Sequence, residues 1–427
     1  MLVYSDHPSP RVRYVMHHMF ERMLGMSVEW ASGAEEFRSA TGPRLSYGRE
    51  RFEEAVYMPW SGAIDDLPTT DPQLVERPDG PALFPVGAEE DLFAGIFYLL
   101  SLTDEMRCTE RDAHGRVPSA ALFTVRKGLA DRPWVDEKVL RFGRGLDQRW
   151  PRGSIATRRY RHVVTVDMDN ILRYAGRPLS RAIGASLKDV LSGSFSAVSE
   201  RWRVRSGSVP DPYLKAIERI EAHCGMMDRT VLFFLMRGEG AFDHAADPQQ
   251  QVTRELVQRA ARNSEVGLHP SYGSSRHISL IMRERSLLQD VVGRPVRATR
   301  QHFLRWRIPE TLRFLSGSDY TEDHTLGFTD RAGFRAGTCT PFPWYDLERE
   351  EGTELMLHPF AAMDSALIDQ QRLGPDGVFK AMAAVSDAVR AVAGTFISVW
   401  HDRYLSGHRE FAPWPSVFER VMEQAKA

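Results

Sequence analysis

Two aspartates at the end of one apolar run have a spacing that could do chemistry. Asp167 and Asp169 close the run Thr165-Val-Asp-Met-Asp. Residues at positions i and i+2 of a strand point to the same side, so both carboxylates can face one opening. Two carboxylates this close repel each other unless a metal ion or an arginine compensates their charge. The alternative for Asp169 is structural, with its carboxylate capping a helix over residues 171–174.

Four further predicted strand ends carry an ionisable side chain. Asp243 and His244 follow the second strand, His269 ends the third, Arg300 the fourth and His401 the last. In β/α proteins the carboxyl ends of the strands meet at one rim, where functional groups lie. One such residue would mean little, but five strands together predict a site. A packed or surface histidine and an ordinary salt bridge remain the alternatives for the single residues.

The elements that must position these residues begin near residue 160. From there, short β-rich runs alternate with amphipathic helical segments, which is the pattern of βα units. Several of the runs are unbroken apolar stretches, as expected of buried parallel strands. The predicted strands are 162–168, 230–236, 266–268, 296–299, 354–357 and 395–400. The predicted helices are 212–223, 249–262, 278–292, 309–315 and 376–393.

The first part of the chain follows no such alternation. Ser9 and Pro10 indicate a helix start, and apolar residues of one helical face follow it up to Met23. Residues 91–102 are apolar on all sides and predict a buried helix. Residues 30–90 contain short strand-like pieces among prolines, glycines and charges. We therefore expect an α+β domain over residues 1–155 and a second domain over residues 156–427.

The overall composition excludes several classes of protein. The 55 basic and 57 acidic residues give a net charge of −2. The chain has no long basic run, so a nucleic-acid partner is not expected. Cys108, Cys224 and Cys339 are too far apart for a zinc ribbon or a disulfide framework. Residues 92–102 form the longest apolar stretch, which is shorter than a membrane span requires. With no secretion signal visible, the expectation is a soluble, cytoplasmic protein; the oligomeric state is not readable.

The strand-end residues resemble the motifs of the polysaccharide deacetylase superfamily, which contains chitin, peptidoglycan and chitooligosaccharide deacetylases. Its motifs T-F-D-D, H-(S/T)-x-x-H, R-x-P-(F/Y) and a strand ending in His correspond to Thr165–Asp169, His269–Tyr272, Arg300–Phe303 and Ile397–His401. The likeness covers roughly residues 155–427. It implies an α/β fold in which a distorted (β/α) barrel of the polysaccharide deacetylase type follows the N-terminal domain.

A divergent bacterial branch with its own N-terminal domain is more similar still. Its signatures resemble E-V-G-(L/I)-H-P-S-Y, S-R-Q-H-F-L, G-F-R-A-G-T-C-x-P-F-x-(W/F)-Y-D-L and P-F-x-x-M-D. In this chain they correspond to residues 265–272, 299–304, 333–347 and 359–364. The stretches D-L-F-A-G-I-F-Y-L-L-S and D-A-H-G-R also resemble that branch. The similarity therefore extends over nearly the whole chain.

The resemblance implies a role for each strand-end residue. Asp167 corresponds to the general base, Arg300 to the group that orients it, and His401 to the general acid. Asp169 and His269 correspond to ligands of a divalent metal ion, for which zinc is favoured over cobalt, nickel or manganese.

The sequence departs from the family pattern at the metal motif. Met168 separates the two aspartates, and Tyr272 stands near the place of the second histidine. His302 replaces the proline of the arginine motif, so we expect it to supply the third ligand. His277 and Asp243 are weaker candidates for that ligand. Decay of the metal site is the other alternative.

Three residues are candidates for binding substrate. Tyr272 and Trp400 lie at the expected rim, although core packing is the ordinary role of a tryptophan such as Trp400. Arg335 lies in the loop 333–337 and could meet a carboxylate or phosphate on the substrate.

The expected function is metal-dependent removal of N-acetyl groups from a sugar or oligosaccharide. The substrate would be a cell-envelope or exopolysaccharide glycan or its precursor. The alternative is a catalytically impaired relative that binds a glycan or an assembly partner. Sequences typical of serine hydrolases, zincins or P-loop enzymes are absent.

Overall fold

The computed structural model describes residues 1–78, 80–151, 156–224, 227–236, 238 and 240–426. The chain divides into two compact units. The first contains Met1–Tyr160, Gly333–Pro359 and Asp387–Thr395, and the second contains Arg161–Ala332, Phe360–Ser386 and Phe396–Ala427. Two segments from late in the sequence thus belong to the first unit. The expected boundary at residue 155 lies outside the described residues, and the division into domains 1–155 and 156–427 stays a prediction.

Seventeen strands are described along these ranges. They are β1 (Leu2–Ser5), β2 (Glu29–Trp30), β3 (Arg44–Gly48), β4 (Val56–Pro59), β5 (Leu74–Val75), β6 (Ala82–Leu83), β7 (Pro85–Val86), β8 (Glu89–Glu90), β9 (Arg161–Met168), β10 (Arg229–Phe234), β11 (Glu265–Leu268), β12 (Ala298–Thr299), β13 (Glu322–Asp323), β14 (Phe342–Asp346), β15 (Glu351–Leu357), β16 (Ala362–Met363) and β17 (Thr395–His401).

Fifteen α-helices are described over the same ranges. They are α1 (Pro10–Met16), α2 (Ala34–Ser39), α3 (Leu92–Leu100), α4 (Thr103–Arg107), α5 (Phe123–Arg126), α6 (Trp134–Arg149), α7 (Leu179–Leu191), α8 (Phe195–Arg205), α9 (Leu214–Cys224), α10 (Gln251–Ala260), α11 (Ser279–Val292), α12 (Glu310–Ser316), α13 (Pro375–Ala391), α14 (Asp402–Ser406) and α15 (Trp414–Gln424). A π-helical turn, His17–Met23, continues α1.

The first unit is built around a small parallel sheet. Its strands lie in the order β2-β1-β3-β4, and all three pairings are parallel. The Ser9 hydroxyl accepts a hydrogen bond from the backbone N–H of Val12, which confirms the predicted start of α1. Every residue of α3 is buried, as its apolar sequence predicted. The strands β14 and β15 form an antiparallel pair in this unit.

The second unit contains a predominantly parallel sheet. Its strands lie in the order β13-β12-β11-β10-β9-β17-β16. The pairs β9–β10, β10–β11, β11–β12, β12–β13 and β16–β17 are parallel. In β9, seven consecutive residues are buried, and the β-branched residues Val163, Val164 and Val166 suit a strand covered on both faces.

The predicted elements of the second half agree with the structure, apart from shifts of a few residues at their ends. Two features differ. The strand predicted over residues 354–357 is part of β15, and it pairs with β14 in the first unit. A closed barrel is not confirmed either, because no pairing among the described residues joins β13 to β16 and the sheet stays open. Within the described ranges, no helix is long and apolar enough to span a membrane.

Gly267 permits close packing at the centre of the second sheet. A Cβ atom at this position would lie 2.3 Å from the ring of Phe233 and 3.1 Å from the carbonyl oxygen of Ala298. Gly267→Ala should therefore force these neighbours apart and lower the free energy of unfolding by about 1–3 kcal/mol. The measurement is urea unfolding of the full chain.

Gly184→Ala is the matched control, because a Cβ there meets no heavy atom within 4 Å and the residue lies inside α7. Alanine favours a helix over glycine by roughly 1 kcal/mol, so this variant should be as stable as the wild type or more so. A Gly267→Ala protein with wild-type stability would contradict the packing argument.

Candidate metal centre

Arg300 fixes the first aspartate at the carboxyl end of the sheet. The arginine side chain is fully buried, and its Nη1 donates to Asp167 Oδ1 at 2.7 Å. Its Nη2 donates to Thr165 Oγ1 at 2.8 Å, and its Nε donates to the carbonyl oxygen of His324 at 3.0 Å. The ring of Phe233 lies 4.5 Å from the guanidinium carbon. Every nitrogen of the guanidinium is thus engaged, and the Asp167 carboxylate is held in one orientation.

The charges around Asp167 keep its carboxylate ionised. Burial by itself raises the pKa of Asp167, but the positive charges of Arg300, His269 and His401 outweigh it and lower the pKa below its ordinary value. The second oxygen, Oδ2, lies 3.9 Å from Nε2 of His269 and 3.9 Å from Nε2 of His401. The carboxylate therefore presents one oxygen toward two imidazoles.

Asp169, His269 and His302 form a compact cluster beside it. One potential ligand atom from each of the three lies within 4.8 Å of the others. The Nε2 atoms of His269 and His302 lie 3.4 Å and 3.8 Å from Asp169 Oδ1. That oxygen is buried and accepts no hydrogen bond within the described structure. A buried carboxylate oxygen without a donor is costly, so this atom is suited to a cation.

The outer nitrogens of the two histidines are occupied. His269 Nδ1 lies 2.6 Å from the carbonyl oxygen of Arg300, and His302 Nδ1 lies 3.0 Å from Asp243 Oδ1. Both acceptors require a proton on Nδ1, so Nε2 of each ring, 3.4 Å and 3.8 Å from Asp169 Oδ1, is the nitrogen available to bind a metal ion. Metal-binding histidines are usually held in this way, by a carbonyl or carboxylate behind the ring. Two imidazole nitrogens and a carboxylate oxygen form a donor set that suits a metal cation.

The pKa values of Asp169 and His269 also favour positive charge in the cluster. Burial opposes ionisation of Asp169, yet the close approach of His269 and the charge of His302 hold its pKa well below the ordinary value. Burial lowers the pKa of His269, but Asp167 and Asp169 outweigh it and raise that pKa. The cluster thus attracts positive charge, carried either by protons or by a cation.

His401 projects toward Asp167 from the end of β17. Its Nδ1 and its backbone N–H meet the two carboxylate oxygens of Asp364 at 2.6 Å and 2.7 Å. Burial lowers the pKa of His401, but the Asp364 carboxylate outweighs it and raises the pKa to about 9. The ring therefore carries a proton at neutral pH, with Nε2 3.9 Å from Asp167 Oδ2.

Sequence reasoning missed three residues of this site. Asp364 orients His401, and its only sequence signal was its place at the end of the P-F-x-x-M-D stretch. The Asp402 carboxylate is buried and accepts from the backbone N–H of Asn170 at 2.7 Å, and burial together with the charge of Asp169 raises its pKa to about 7. Arg403 lies 3.8 Å from Asp169 Oδ2. The latter two directly follow His401 and could have been noticed for that reason.

The structure bears on two alternatives: whether Asp169 caps a helix, and whether Asp243 or His277 is the third ligand. Residues 171–174 form bends and no helix, so Asp169 does not cap a helix there. Asp243 contacts the outer nitrogen of His302 and lies outside the three-residue cluster. His277 is exposed. Arg237 and Glu239, which follow the second predicted strand, lie outside the described residues.

The three residues expected to bind substrate have different fates. Tyr272 lies beside the cluster, with its backbone N–H bonded to Asp243 and its ring 5.3 Å from that of Phe303. Trp400 is 1% exposed, and its Nε1 donates to Ser398 Oγ at 3.1 Å. This burial is typical of core packing, and the substrate contact expected for Trp400 stays a prediction.

Arg335 belongs to the first unit. Its guanidinium forms a two-pronged ion pair with Glu105, at 2.8 Å and 2.9 Å. The substrate contact predicted for Arg335 stays a prediction.

Comparison with known proteins gives only distant likenesses. Residues 1–151 match a family of unknown function, DUF7033. Among curated proteins there is no match.

Among solved structures, a protein from Mycobacterium smegmatis described as a polysaccharide deacetylase has 13% identity over 62% of this chain and 85% of its own, with a TM-score of 0.39. A polysaccharide deacetylase from Bacillus cereus has 10% identity over 63% of this chain and 89% of its own, with a TM-score of 0.30. A CE4-family pseudoenzyme from Bacillus anthracis has 13% identity over 50% of this chain and 57% of its own, with a TM-score of 0.29. Similarities at this level leave the function to be argued from the residues themselves.

The His401–Asp364 pair should make stability depend on pH. Because folding raises the pKa of His401 from 6.5 to about 9, the pair stabilises the protein fully below about pH 6.5. This contribution, on the order of 3 kcal/mol, is lost as the pH rises through 9. In Asp364→Asn the stability deficit relative to wild type should be largest near pH 6 and smaller at pH 10, as measured by urea unfolding with a chelator present.

Asp369→Asn is the control, because this carboxylate is about half exposed and pairs with Arg403 instead. Its stability deficit should vary little between pH 6 and 10. A deficit in Asp364→Asn that is constant over this range would show that His401 does not titrate as proposed.

Proposed function

We propose that the second unit is a metal-dependent carbohydrate de-N-acetylase. The observation that carries the proposal is the cluster of Asp169, His269 and His302, in which a buried carboxylate oxygen faces two imidazole nitrogens and accepts no hydrogen bond from any described residue. Asp167, Arg300 and His401 lie next to it and supply a carboxylate, a fixed cation and a protonated imidazole. This combination suits hydrolysis of an amide.

The three-residue cluster fits a divalent ion by the chemistry of its donors. Two imidazoles and one carboxylate are a usual protein ligand set for zinc at a catalytic site, and they leave room for other ligands. Cobalt, nickel and manganese accept the same donors. When bound, such an ion polarises a carbonyl group and lowers the pKa of a water molecule.

Asp167 is the proposed general base. Its Oδ1 is held by Arg300, so Oδ2 is the oxygen available to take a proton from an attacking water. Its lowered pKa means that the carboxylate is ionised at neutral pH. Arg300 acts by positioning Asp167, since all three guanidinium nitrogens are engaged within the protein.

His401 is the proposed general acid. An amide nitrogen must be protonated before it can leave, and His401 carries the required proton because its pKa is raised to about 9. The Nδ1 of the ring is held by Asp364, so the donated proton is the one on Nε2. As the C–N bond of the acetamido group breaks, acetate and a protonated amine result.

The proposed substrate is an N-acetylated sugar or oligosaccharide. This assignment rests on the similarity of the strand-end residues to deacetylase motifs, and it extends to a cell-envelope or exopolysaccharide glycan or its precursor. The other candidate, a glycan-binding protein without catalytic activity, is separated from it by the metal content of the protein.

Elemental analysis of the purified protein tests the metal site. We expect about one divalent ion per chain in the wild type and its loss in Asp169→Ala, His269→Ala and His302→Ala. In Asp243→Asn, which loosens His302, the affinity should fall by roughly 10–100-fold. Unchanged stoichiometry and affinity in His302→Ala would remove that residue from the ligand set.

His277→Ala is the matched control, because this exposed histidine lies outside the cluster and should leave metal content unchanged. Circular dichroism of each variant checks that it folds. If the wild type binds no metal even after reconstitution, the glycan-binding alternative is favoured.

Release of acetate from N-acetylated sugars tests the catalytic roles. Asp167→Asn and His401→Gln should each lower kcat by roughly 10²–10⁴-fold, because each removes a positioned proton-transfer group. Wild-type activity should fall as the pH rises through about 9, where His401 loses its proton. Asp369→Asn should retain wild-type activity. A high-pH limb that persists in His401→Gln would assign it to another group.

A further inference from the structure

A cavity rich in arginine lies beside the candidate metal centre. It has a volume of about 450 Å³, and its lining includes Arg173, Arg177, Arg181, Arg201 and His244. None of the described residues that line it is an aspartate or a glutamate. Cavities of this size commonly hold small ligands, and here the lining is strongly cationic.

Two of the four arginines have their charge satisfied within the protein. Arg201 is paired with Asp189 and also donates to Ser186 Oγ at 2.9 Å. Arg173 donates to the hydroxyl oxygens of Tyr174 and Tyr213, and Glu410 lies 3.8 Å away. These two side chains therefore form part of the wall and leave little unbalanced charge.

Arg177 and Arg181 are different. Neither forms an ion pair with any described carboxylate. Arg177 donates through Nη2 to Asn170 Oδ1 and to the carbonyl oxygen of Leu172, while its buried Nε has no acceptor among the described residues. Burial and the neighbouring charge of Arg181 lower the pKa of Arg177. Two adjacent cations and an unpaired buried donor leave this part of the cavity short of negative charge.

The nearby carboxylate of Asp211 does not fill this need. Its oxygens accept hydrogen bonds from the backbone N–H groups of Arg173, Tyr174, Ala175 and Tyr213, at 2.8–3.0 Å. The carboxylate is thus committed to holding the turn. An external anion would balance the charges of Arg177 and Arg181.

The cavity adjoins the catalytic cluster through two segments. Asn170, which lines it, directly follows Asp169. Gly240, Ala241 and His244 also line it, and the same loop supplies Asp243, which holds His302. A ligand in the cavity therefore lies next to the residues proposed to bind the metal ion.

We propose that this cavity binds an anionic group of the substrate, a phosphate or a carboxylate, through Arg177 and Arg181. Planar guanidinium groups match the oxygens of both anions in two-pronged contacts. The inference rests on the proposed function insofar as it places this anion on the N-acetylated sugar. The substrate is accordingly a sugar phosphate or a glycan that contains a uronic acid.

Calorimetric titration of the full-length protein tests this site with four probes: inorganic phosphate, N-acetylglucosamine 1-phosphate, glucuronic acid and neutral N-acetylglucosamine. The sugar phosphate should bind at least about tenfold more tightly than the neutral sugar. The double variant Arg177→Gln/Arg181→Gln should abolish that preference. Arg181→Gln alone, at an exposed position, should weaken anion binding without risk to folding.

Arg283→Gln is the matched control, because Arg283 is an exposed arginine on α11 and does not line the cavity. Tighter binding of the sugar phosphate and of inorganic phosphate identifies a phosphate ligand, and tighter binding of glucuronic acid identifies a carboxylate ligand. Equal affinity for charged and neutral probes, or an equal loss in Arg283→Gln, would overturn the proposal.

The outcome is separable from that of the proposed function. Anion binding is measured without turnover, and the arginine variants should keep the metal content of the wild type. Anion binding in a protein that holds no metal would leave the cavity assigned and the deacetylase proposal rejected. Metal binding without any preference for anions would support the deacetylase proposal and reject the anion site.

Discussion

The buried guanidinium of Arg300 is the constraint on which the candidate site depends. A fully buried arginine is tolerated only when its charge and its donors are all matched, and here a carboxylate, a hydroxyl and a carbonyl match them. The same residue's backbone carbonyl accepts from His269 Nδ1. Arg300 thus orients Asp167 with its side chain and His269 with its main chain, so two functional groups share one anchor.

Charge balance explains why the anchor alone does not complete the site. Asp167, Asp169, Asp364 and Asp402 are all buried or nearly so, whereas Arg300 and the protonated His401 are matched by two of them. No described residue donates to one oxygen of Asp169, and burial together with the charge of Asp169 raises the pKa of Asp402. A cation bound by Asp169 would relieve both residues at once. The arginine cavity has the opposite imbalance, and an anionic substrate group would relieve it in the same manner.

The sequence predicted those parts of the site that depend on strand ends. Apolar runs fixed β9, β11 and β17, and the residues that follow them had to meet at one edge of a parallel sheet. Asp364 could not be predicted in this way, because its role depends on which turn folds back against His401. No sequence pattern indicated that the sheet is open or that β15 belongs to the first unit. Periodicity identifies a strand but does not choose its partner.

His302 shows how a candidate cluster can form although the sequence motif is incomplete. The family pattern has a second histidine four residues after the first, whereas in this chain the second imidazole of the cluster follows the next strand. Leu268 pairs with Thr299 in the parallel register of β11 and β12, so the residues just beyond these strands emerge side by side. A distance of 33 positions in sequence becomes 4.8 Å between the ring centres of His269 and His302. Residues that follow adjacent strands of a parallel sheet can therefore form one cluster although they lie far apart in the sequence.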